Sequence, residues 1–173
     1  MMDLKSIWEE MEECHRLGLT KSIGVSNFSC KKLDFDLSMA TIPPSINQVE
    51  MHPLLQQKKL IDFCSVKGIL VSAYSPLGAN GAPILVKFYF IIFFNNMHVC
   101  LRWIHEQGVS IVVKSYNRER MRENLDIFDW KLDLEDLDKI QQLPQYKGCR
   151  GAELLNPNSG GIKSPEELWD GKI

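Results

Sequence analysis

GVSIVVKS, residues 108–115, is a glycine followed by a short apolar run that ends in two polar residues. GLTKSIGVSN, residues 18–27, and GILVSAYS, residues 68–75, follow the same plan. Each comes after a segment whose apolar residues recur at helical spacing, so helices and short strands alternate along the chain. Such alternation predicts a parallel sheet with helical crossovers, an α/β fold.

Four strands can be predicted from this pattern, at residues 21–27, 45–50, 69–74 and 110–115. Helices are predicted at residues 4–17, 30–39, 56–67, 99–107, 118–128 and 134–143, with Ser29 as the cap of the second and Gly18, Gly68 and Gly108 as helix ends. A closed (β/α)8 barrel needs eight strands and about 250 residues. Four strands with their helices amount to half a barrel.

The composition is that of an ordinary globular protein. Of its residues, 45% are hydrophobic and 24% are charged. A length of 173 residues is enough for one domain with a core. A net charge of −2 gives no reason to expect nucleic acid or a membrane surface as a partner. Five scattered cysteines without a C-x-x-C pair predict reduced thiols, and the absence of an apolar leader at the start adds to the prediction of a cytoplasmic protein.

Residues 82–97, APILVKFYFIIFFNNM, break the pattern because they show neither a helical stripe nor alternation. Lys87 interrupts the run, and the run is shorter than the ~20 apolar residues of a membrane span. It is either a buried strand or helix, or a foreign segment such as intronic sequence read through into the protein. In both cases the uncharged stretch 88–94 predicts a tendency to aggregate.

Polar residues close the predicted strands. In parallel α/β sheets and barrels, ligands bind at the carboxyl ends of the strands. The residues at these ends are Ser26, Asn27, Gln48, Glu50, Tyr74, Ser75, Lys114 and Ser115. The sequence therefore predicts a polar binding site at this end of the sheet.

Three arginines at positions 118, 120 and 122 open the helix after the last strand, although the helix dipole disfavours cations there. Arg120 and Asn124 are four residues apart and share a helix face, and Lys114 and Ser115 precede them. A guanidinium, an ammonium, a hydroxyl and an amide suit a phosphate beside an adenine ring. The alternative is a solvated helix face.

The other strand ends also allow two interpretations each. Ser26 and Asn27 bind a carboxamide or cap the next helix. Tyr74 stacks on a flat ligand ring or packs in the core. Glu50 and His52 form an acid–base pair or begin a loop. The histidines lack the spacing of a metal site, so no metal is predicted, and without a glycine-rich phosphate loop any dinucleotide site is not of the Rossmann type.

Several motifs in order resemble the aldo-keto reductases: GLTKSIGVSNF, INQVEMHP, AYSPLG, LRWIHEQGVSIVVKSYNRERMREN and IFDW. The resemblance is nearest to the plant branch of chalcone reductase and codeinone reductase relatives, and it covers nearly everything except 82–97. It implies the C-terminal half of a (β/α)8 TIM barrel, with about four parallel strands and flanking helices. Residues 1–143 would form the NADP-binding half-barrel, and 144–173 a tail like the family's loop over the substrate pocket.

The resemblance also implies a role for each matching residue in binding NADPH. The nicotinamide carboxamide would be held by Ser26, Asn27 and Gln48, with Tyr74 stacked on the nicotinamide ring. The pyrophosphate would lie along Ser75 and Leu77. The 2′-phosphate would be held by Lys114, Ser115 and Arg120, and the adenine would lie at Glu123 and Asn124.

The family's catalytic tetrad of Asp, Tyr, Lys and His lies ahead of the helix with which this sequence opens. We therefore expect no catalytic residue and no turnover in this chain, whereas the complete enzyme would reduce a small-molecule aldehyde or ketone with NADPH. The alternative is a non-catalytic NADP-binding or interaction protein. A half-barrel leaves two strand edges unpaired, which predicts self-association.

Overall fold

The structure is a computed structural model that describes residues 4–78, 98–148, 164 and 168–170. The atypical segment 82–97 and most of the tail lie outside the described residues, so the two interpretations of that segment stay predictions. The boundary predicted between residues 143 and 144 also stays a prediction.

Helices and strands alternate as the sequence predicts. The helices are α1 (Leu4–Arg16), α2 (Cys30–Met39), α3 (Lys58–Lys67), α4 (His98–Glu106), α5 (Arg118–Glu123) and α6 (Leu134–Gln141). The strands are β1 (Val25–Ser26), β2 (Ile46–Glu50), β3 (Leu70–Tyr74) and β4 (Ser110–Val112).

The four strands form one sheet in the order β1-β2-β3-β4. β1 is parallel to β2, with Ser26 opposite Gln48. β3 is parallel to β4, with Tyr74 opposite Val112. The predicted fold class is confirmed: four parallel strands with flanking helices make a partial barrel.

The described residues divide into two compact units. The first comprises residues 4–49, 58–71, 164 and 168–170, and the second comprises residues 50–57, 72–78 and 98–148. β2 and β3 contribute residues to both.

In the first unit, α1 is fixed through two buried side chains on one face, Trp8 and Glu12. The Trp8 indole Nε1 donates to the Ile42 carbonyl at 3.1 Å. The Glu12 carboxylate accepts from the backbone N–H groups of Ile42, at 2.9 Å, and Thr41, at 2.7 Å. These hydrogen bonds, with that of Ile42 the strongest, lower the pKa of Glu12, so the buried group stays ionised and satisfies the turn before β2.

The predicted helix ends are confirmed. The Ser29 hydroxyl accepts from the Lys32 N–H at 3.2 Å and caps α2. Gly18, Gly68 and Gly108 follow α1, α3 and α4 with φ of 70°, 71° and 71°, the left-handed conformation that ends helices.

Two boundaries at the starts of elements differ from prediction by two residues or more. β1 has two residues rather than 21–27, since the Thr20 hydroxyl donates to the Ser22 carbonyl at 2.8 Å, a local bond that competes with a strand ladder. α3 begins at Lys58 rather than residue 56, because Gln57 has a left-handed φ of 53°.

Two boundaries at the ends of elements differ from prediction by three residues or more. β4 ends at Val112, so Lys114 and Ser115 follow the strand instead of closing it. α5 ends at Glu123 rather than residue 128. None of its own residues is buried, and the buried Ile127 lies in the turn that follows the helix.

Helix α2 places Phe35 outward, 56% exposed, and its neighbour Asp36 inward, 3% exposed. Within the described part of the chain, the Asp36 Oδ2 atom has no hydrogen-bond partner. Burial, followed by the negative charge of Glu12, raises the pKa of Asp36. A carboxyl group therefore occupies a position suited to an apolar side chain.

Replacing Asp36 by leucine is expected to stabilise the chain by ~1–3 kcal/mol at neutral pH, because an unsatisfied buried polar group is removed. A raised pKa means that Asp36 destabilises the folded state at pH values above that pKa. The gain in the free energy of unfolding should therefore shrink as the pH falls towards 3.8, the ordinary pKa of an aspartate. Urea unfolding at two pH values measures this gain. Asp34→Leu is the control, because Asp34 lies on the same helix and is exposed. Equal or lower stability of Asp36→Leu would contradict the prediction.

Candidate functional site

The first unit brings together the three residues predicted to bind the nicotinamide carboxamide. The Gln48 carbonyl accepts from the Ser26 hydroxyl at 2.9 Å and from the Asn27 N–H at 2.8 Å. The Asn27 side-chain amide donates to the Ser26 hydroxyl at 3.2 Å. The side-chain amide of Gln48 forms no hydrogen bond with the residues that the structure describes, and so both its donor and its acceptor are available to a ligand.

Ser26 and Asn27 do not cap α2. Ser29 does, so the capping alternative for those two residues is wrong. The sequence reasoning missed Asn47, which is fully buried and bonds both backbone groups of Phe28, donating to its carbonyl at 2.9 Å and accepting from its N–H at 3.3 Å. A carboxamide inside a strand was the available signal. Asn47 fixes the loop that presents Ser26 and Asn27.

The second unit contains a cavity of about 280 Å³ at the ends of β3 and β4. Its lining consists of Ser75, Pro76, Leu77, Gly78, Val112, Val113 and Lys114. Three residues predicted to contact the phosphates of NADPH therefore line the same cavity: Ser75, Leu77 and Lys114. The turn is tight, with a left-handed φ of 50° at Ser75 and its carbonyl accepting from the Gly78 N–H at 2.9 Å. The volume suits part of a dinucleotide, since whole-ligand pockets measure about 300–1,000 Å³.

Lys114 lies over the ring of Tyr116, with 3.6 Å between the ammonium nitrogen and the ring centroid. Tyr116 is 89% exposed. This cation–π contact holds the lysine side chain at the cavity without neutralising its charge. The sequence reasoning missed Tyr116, although an aromatic residue among polar neighbours in a loop was a signal.

Helix α5 carries three arginines and has one acidic residue, Glu119, in its first turn. Asn117 caps the helix by accepting from the Arg120 N–H at 3.0 Å, and Ser115 accepts from the Asn117 N–H at 3.2 Å. The side chains of Arg118, Arg120 and Arg122 are exposed, and none of them forms an ion pair with the described residues. By contrast, Arg16 and Arg102 each have a carboxylate partner.

The two residues predicted to contact adenine, Glu123 and Asn124, lie at the C-terminal end of α5. Glu123 is 3.9 Å from the His98 ring nitrogen. Asn124 caps the helix through its backbone N–H, which donates to the Arg120 carbonyl at 2.9 Å. A backbone hydrogen bond therefore links Arg120 and Asn124 across one helical turn, as their four-residue spacing predicts.

Tyr74 is half-buried at the end of β3, where its backbone carbonyl accepts from the Met51 N–H at 3.3 Å. Stacking on a ligand ring and packing against the core therefore both stay open.

Glu50 and His52 form a buried pair, with 3.0 Å between Glu50 Oε1 and His52 Nε2 and about 1% exposure for each residue. The same carboxylate oxygen accepts from the Gly148 N–H at 2.9 Å. The pair thus fastens the segment that follows α6. Burial favours this structural role over that of an acid–base pair open to substrate.

Within residues 4–78, 98–148, 164 and 168–170, no three His, Cys, Asp or Glu side chains are grouped to hold a metal ion. Across the same ranges, no helix has both the length and the apolar character needed to cross a membrane.

Comparison with characterised proteins gives consistent relatives. The sequence model of the aldo/keto reductase family matches residues 2–84. The (1S)-1,7-diacetoxy-luvungin A aldo-keto reductase of Citrus sinensis is 51% identical over 181 residues, which cover 99% of this chain and 57% of the relative. Deoxymugineic acid synthase 1 of Zea mays is 50% identical, with the same coverage. The chain thus spans little more than half the length of these curated relatives.

Solved structures lead to the same family. The Bombyx mori aldo-keto reductase in complex with NADP superposes with a TM-score of 0.68 at 30% identity, covering 82% of this chain and 50% of that one. The aldose reductase of Schistosoma japonicum gives a TM-score of 0.72 at 28% identity, covering 85% and 50%. The fold, the order of the motifs and these similarities agree: the chain resembles the aldo/keto reductase family over nearly its whole length, and the family's sequence model matches residues 2–84.

Proposed function

We propose that this chain is the cofactor-binding part of an NADPH-dependent reductase of aldehyde and ketone carbonyls. One observation carries the proposal. The cavity bearing Ser75, Leu77 and Lys114 is followed along the chain by the exposed guanidinium of Arg120, which forms no ion pair with the described residues. Such a set fits a phosphate-rich ligand. When bound, NADPH supplies a hydride.

The 2′-phosphate that separates NADPH from NADH is proposed to lie against Lys114, Ser115 and Arg120. A hydrogen bond to a charged group contributes about 1.5–3 kcal/mol. Because α5 ends at Glu123, Arg120 lies in the last turn of the helix, where the helix dipole does not disfavour a cation. Because these side chains are exposed, salt should weaken the binding.

The other ligand groups are assigned to residues unit by unit. In the second unit, the Ser75 hydroxyl and Leu77 are proposed to lie along a pyrophosphate, Tyr74 to stack on a nicotinamide ring, and Glu123 and Asn124 to contact adenine. In the first unit, Ser26, Asn27 and the side-chain amide of Gln48 are proposed to hold a carboxamide, which has a matching donor and acceptor.

The activity of this chain by itself is a separate matter. No residue is assigned a catalytic role, and a chain that spans 57% of its relatives supports a second candidate, a non-catalytic NADP-binding protein. Residues 1–143 are proposed as the NADP-binding part and 144–173 as the substrate-side tail. A cytoplasmic location and self-association through strand edges stay proposals from composition and topology.

Titration with NADPH, followed by the fluorescence of the reduced nicotinamide, tests the proposal. Saturable binding that weakens with added salt is the expected result. No binding at any salt concentration would contradict it. An assay with an aromatic aldehyde then separates the two candidates, because turnover by this chain would exclude the non-catalytic one.

A further inference from the structure

Residues 168–170, near the end of the chain, lie against the start of α2 in the first unit. The Ser29 hydroxyl donates to the Asp170 carboxylate, and the Lys32 ammonium donates to the Leu168 carbonyl. Trp169, between these two contacts, is 6% exposed. We call residues 168–170 the tail anchor, because two side chains at the start of α2 bind it. The tail anchor contains none of the residues proposed to bind NADPH.

Ser29 forms two side-chain hydrogen bonds that depend on each other. Its hydroxyl oxygen accepts from the Lys32 N–H at 3.2 Å, which caps α2, and its single proton is donated to Asp170. Asp170 thus fixes the rotation of the hydroxyl group, so that a lone pair of the oxygen faces the helix. Without this acceptor the hydroxyl is free to rotate, and the cap is weaker.

The loop that ends at Ser29 carries two of the residues proposed to bind a carboxamide, Ser26 and Asn27. Asn27 has a φ of 60°, the left-handed conformation that residues other than glycine rarely adopt. Such a conformation persists only where neighbouring contacts hold it. β2 holds the loop at Asn27, whose N–H donates to the Gln48 carbonyl at 2.8 Å, and the tail anchor holds it at Ser29.

We infer that Asp170 is a positioning residue for Ser26 and Asn27. By holding the Ser29 hydroxyl, it keeps the loop in the conformation that presents these two side chains to a carboxamide. It acts through Ser29 and not by contact with the ligand. The identity of that ligand rests on the proposed function, whereas the action of Asp170 on the loop does not.

Hydrogen–deuterium exchange without cofactor tests the action of Asp170 on the loop. Asp170→Ala should speed the exchange of the backbone amides of residues 27–33 by about three- to tenfold, because the loop and the first turn of α2 open more often when one hydrogen bond is lost. Exchange in β2 should not change. Asp170→Asn keeps an oxygen that accepts from the Ser29 hydroxyl, so this variant should exchange like wild type.

Titration with two ligands tests the positioning role. Asp170→Ala should weaken NADPH binding by about three- to tenfold, because the loop is less often in the binding conformation. The same variant should bind adenosine 2′,5′-bisphosphate, which lacks a nicotinamide, like wild type. A general structural defect would weaken the binding of both ligands. Asp34→Ala is the matched control, because Asp34 carries the same charge on the exposed side of α2, and this variant should bind both ligands like wild type.

Three results would overturn the inference. They are unchanged exchange in Asp170→Ala, NADPH binding by that variant equal to wild type, and an equal loss of affinity for NADPH and the bisphosphate. A wild-type chain that binds no NADPH would refute the proposed function instead. The exchange experiment contains no cofactor, so it still decides in that case whether Asp170 holds the loop.

Discussion

Arg120→Ala should weaken NADPH binding by about 10- to 100-fold and leave NADH binding nearly unchanged, since a hydrogen bond to a charged group contributes about 1.5–3 kcal/mol and 1.4 kcal/mol is a factor of ten. The reason is the position of the guanidinium. It is exposed on the six-residue helix α5, unpaired among the described residues, and preceded along the chain by Ser115 and by Lys114 at the cavity. Fluorescence titration with both cofactors measures the effect.

Arg122→Ala is the control for general loss of positive charge. Arg122 lies two residues further along the same helix, is exposed like Arg120, and carries the same charge. A purely long-range field would make the two variants equal. An equal loss in both, or no loss in Arg120→Ala, would contradict the assignment of the 2′-phosphate to Arg120.

Arg102→Met should destabilise the chain by about 3–5 kcal/mol, the usual cost of removing one partner from a buried ion pair. Arg102 is 5% exposed on α4. Its Nε donates to Glu106 at 2.7 Å, and one terminal nitrogen donates to the Ile127 carbonyl at 2.7 Å. The same Glu106 oxygen accepts from the Leu132 N–H at 3.1 Å. The arginine thus ties α4 to the segment that follows α5.

The matched control is Arg16→Met. Arg16 also pairs with carboxylates, that of Glu13 at 2.9 Å and that of the buried Glu12 at 3.7 Å, but its own side chain is 52% exposed. Exposed pairs contribute about 0–1 kcal/mol, so this variant should unfold close to wild type in urea. Adding Glu106→Gln to Arg102→Met should recover part of the loss, because the unpaired charge is removed. A loss below about 1 kcal/mol in Arg102→Met would refute the prediction.

The periodicity of the sequence was sufficient for the fold class and the element order, because both follow from where apolar residues and glycines recur. The glycine after each of α1, α3 and α4 adopts the left-handed conformation expected of a helix end. The lengths of the elements could not be predicted as well. They depend on local bonds such as that of Thr20 with Ser22, and on burial, which α5 lacks.

Prediction of the site from sequence was similarly uneven. The carboxyl ends of parallel strands lie at one edge of a sheet, and this rule predicted that Ser26 lies near Gln48 and Ser75 near Lys114. The structure shows both groupings. The cation–π contact of Lys114 with Tyr116 and the buried carboxamide of Asn47 depend on side-chain packing across a loop, which periodicity does not encode. Asp36 shows the reverse case, a charged residue inside a helix interface that no pattern would place there.

The most direct test of the central claim, that Lys114, Ser115 and Arg120 form a 2′-phosphate site, is calorimetric titration of the wild-type chain with two small probes. Adenosine 2′,5′-bisphosphate carries the group in question, and adenosine 5′-monophosphate lacks it. We expect the bisphosphate to bind at least about tenfold more tightly, with the difference shrinking as salt is added. Equal affinities for the two probes, or no binding of either, would contradict the assignment.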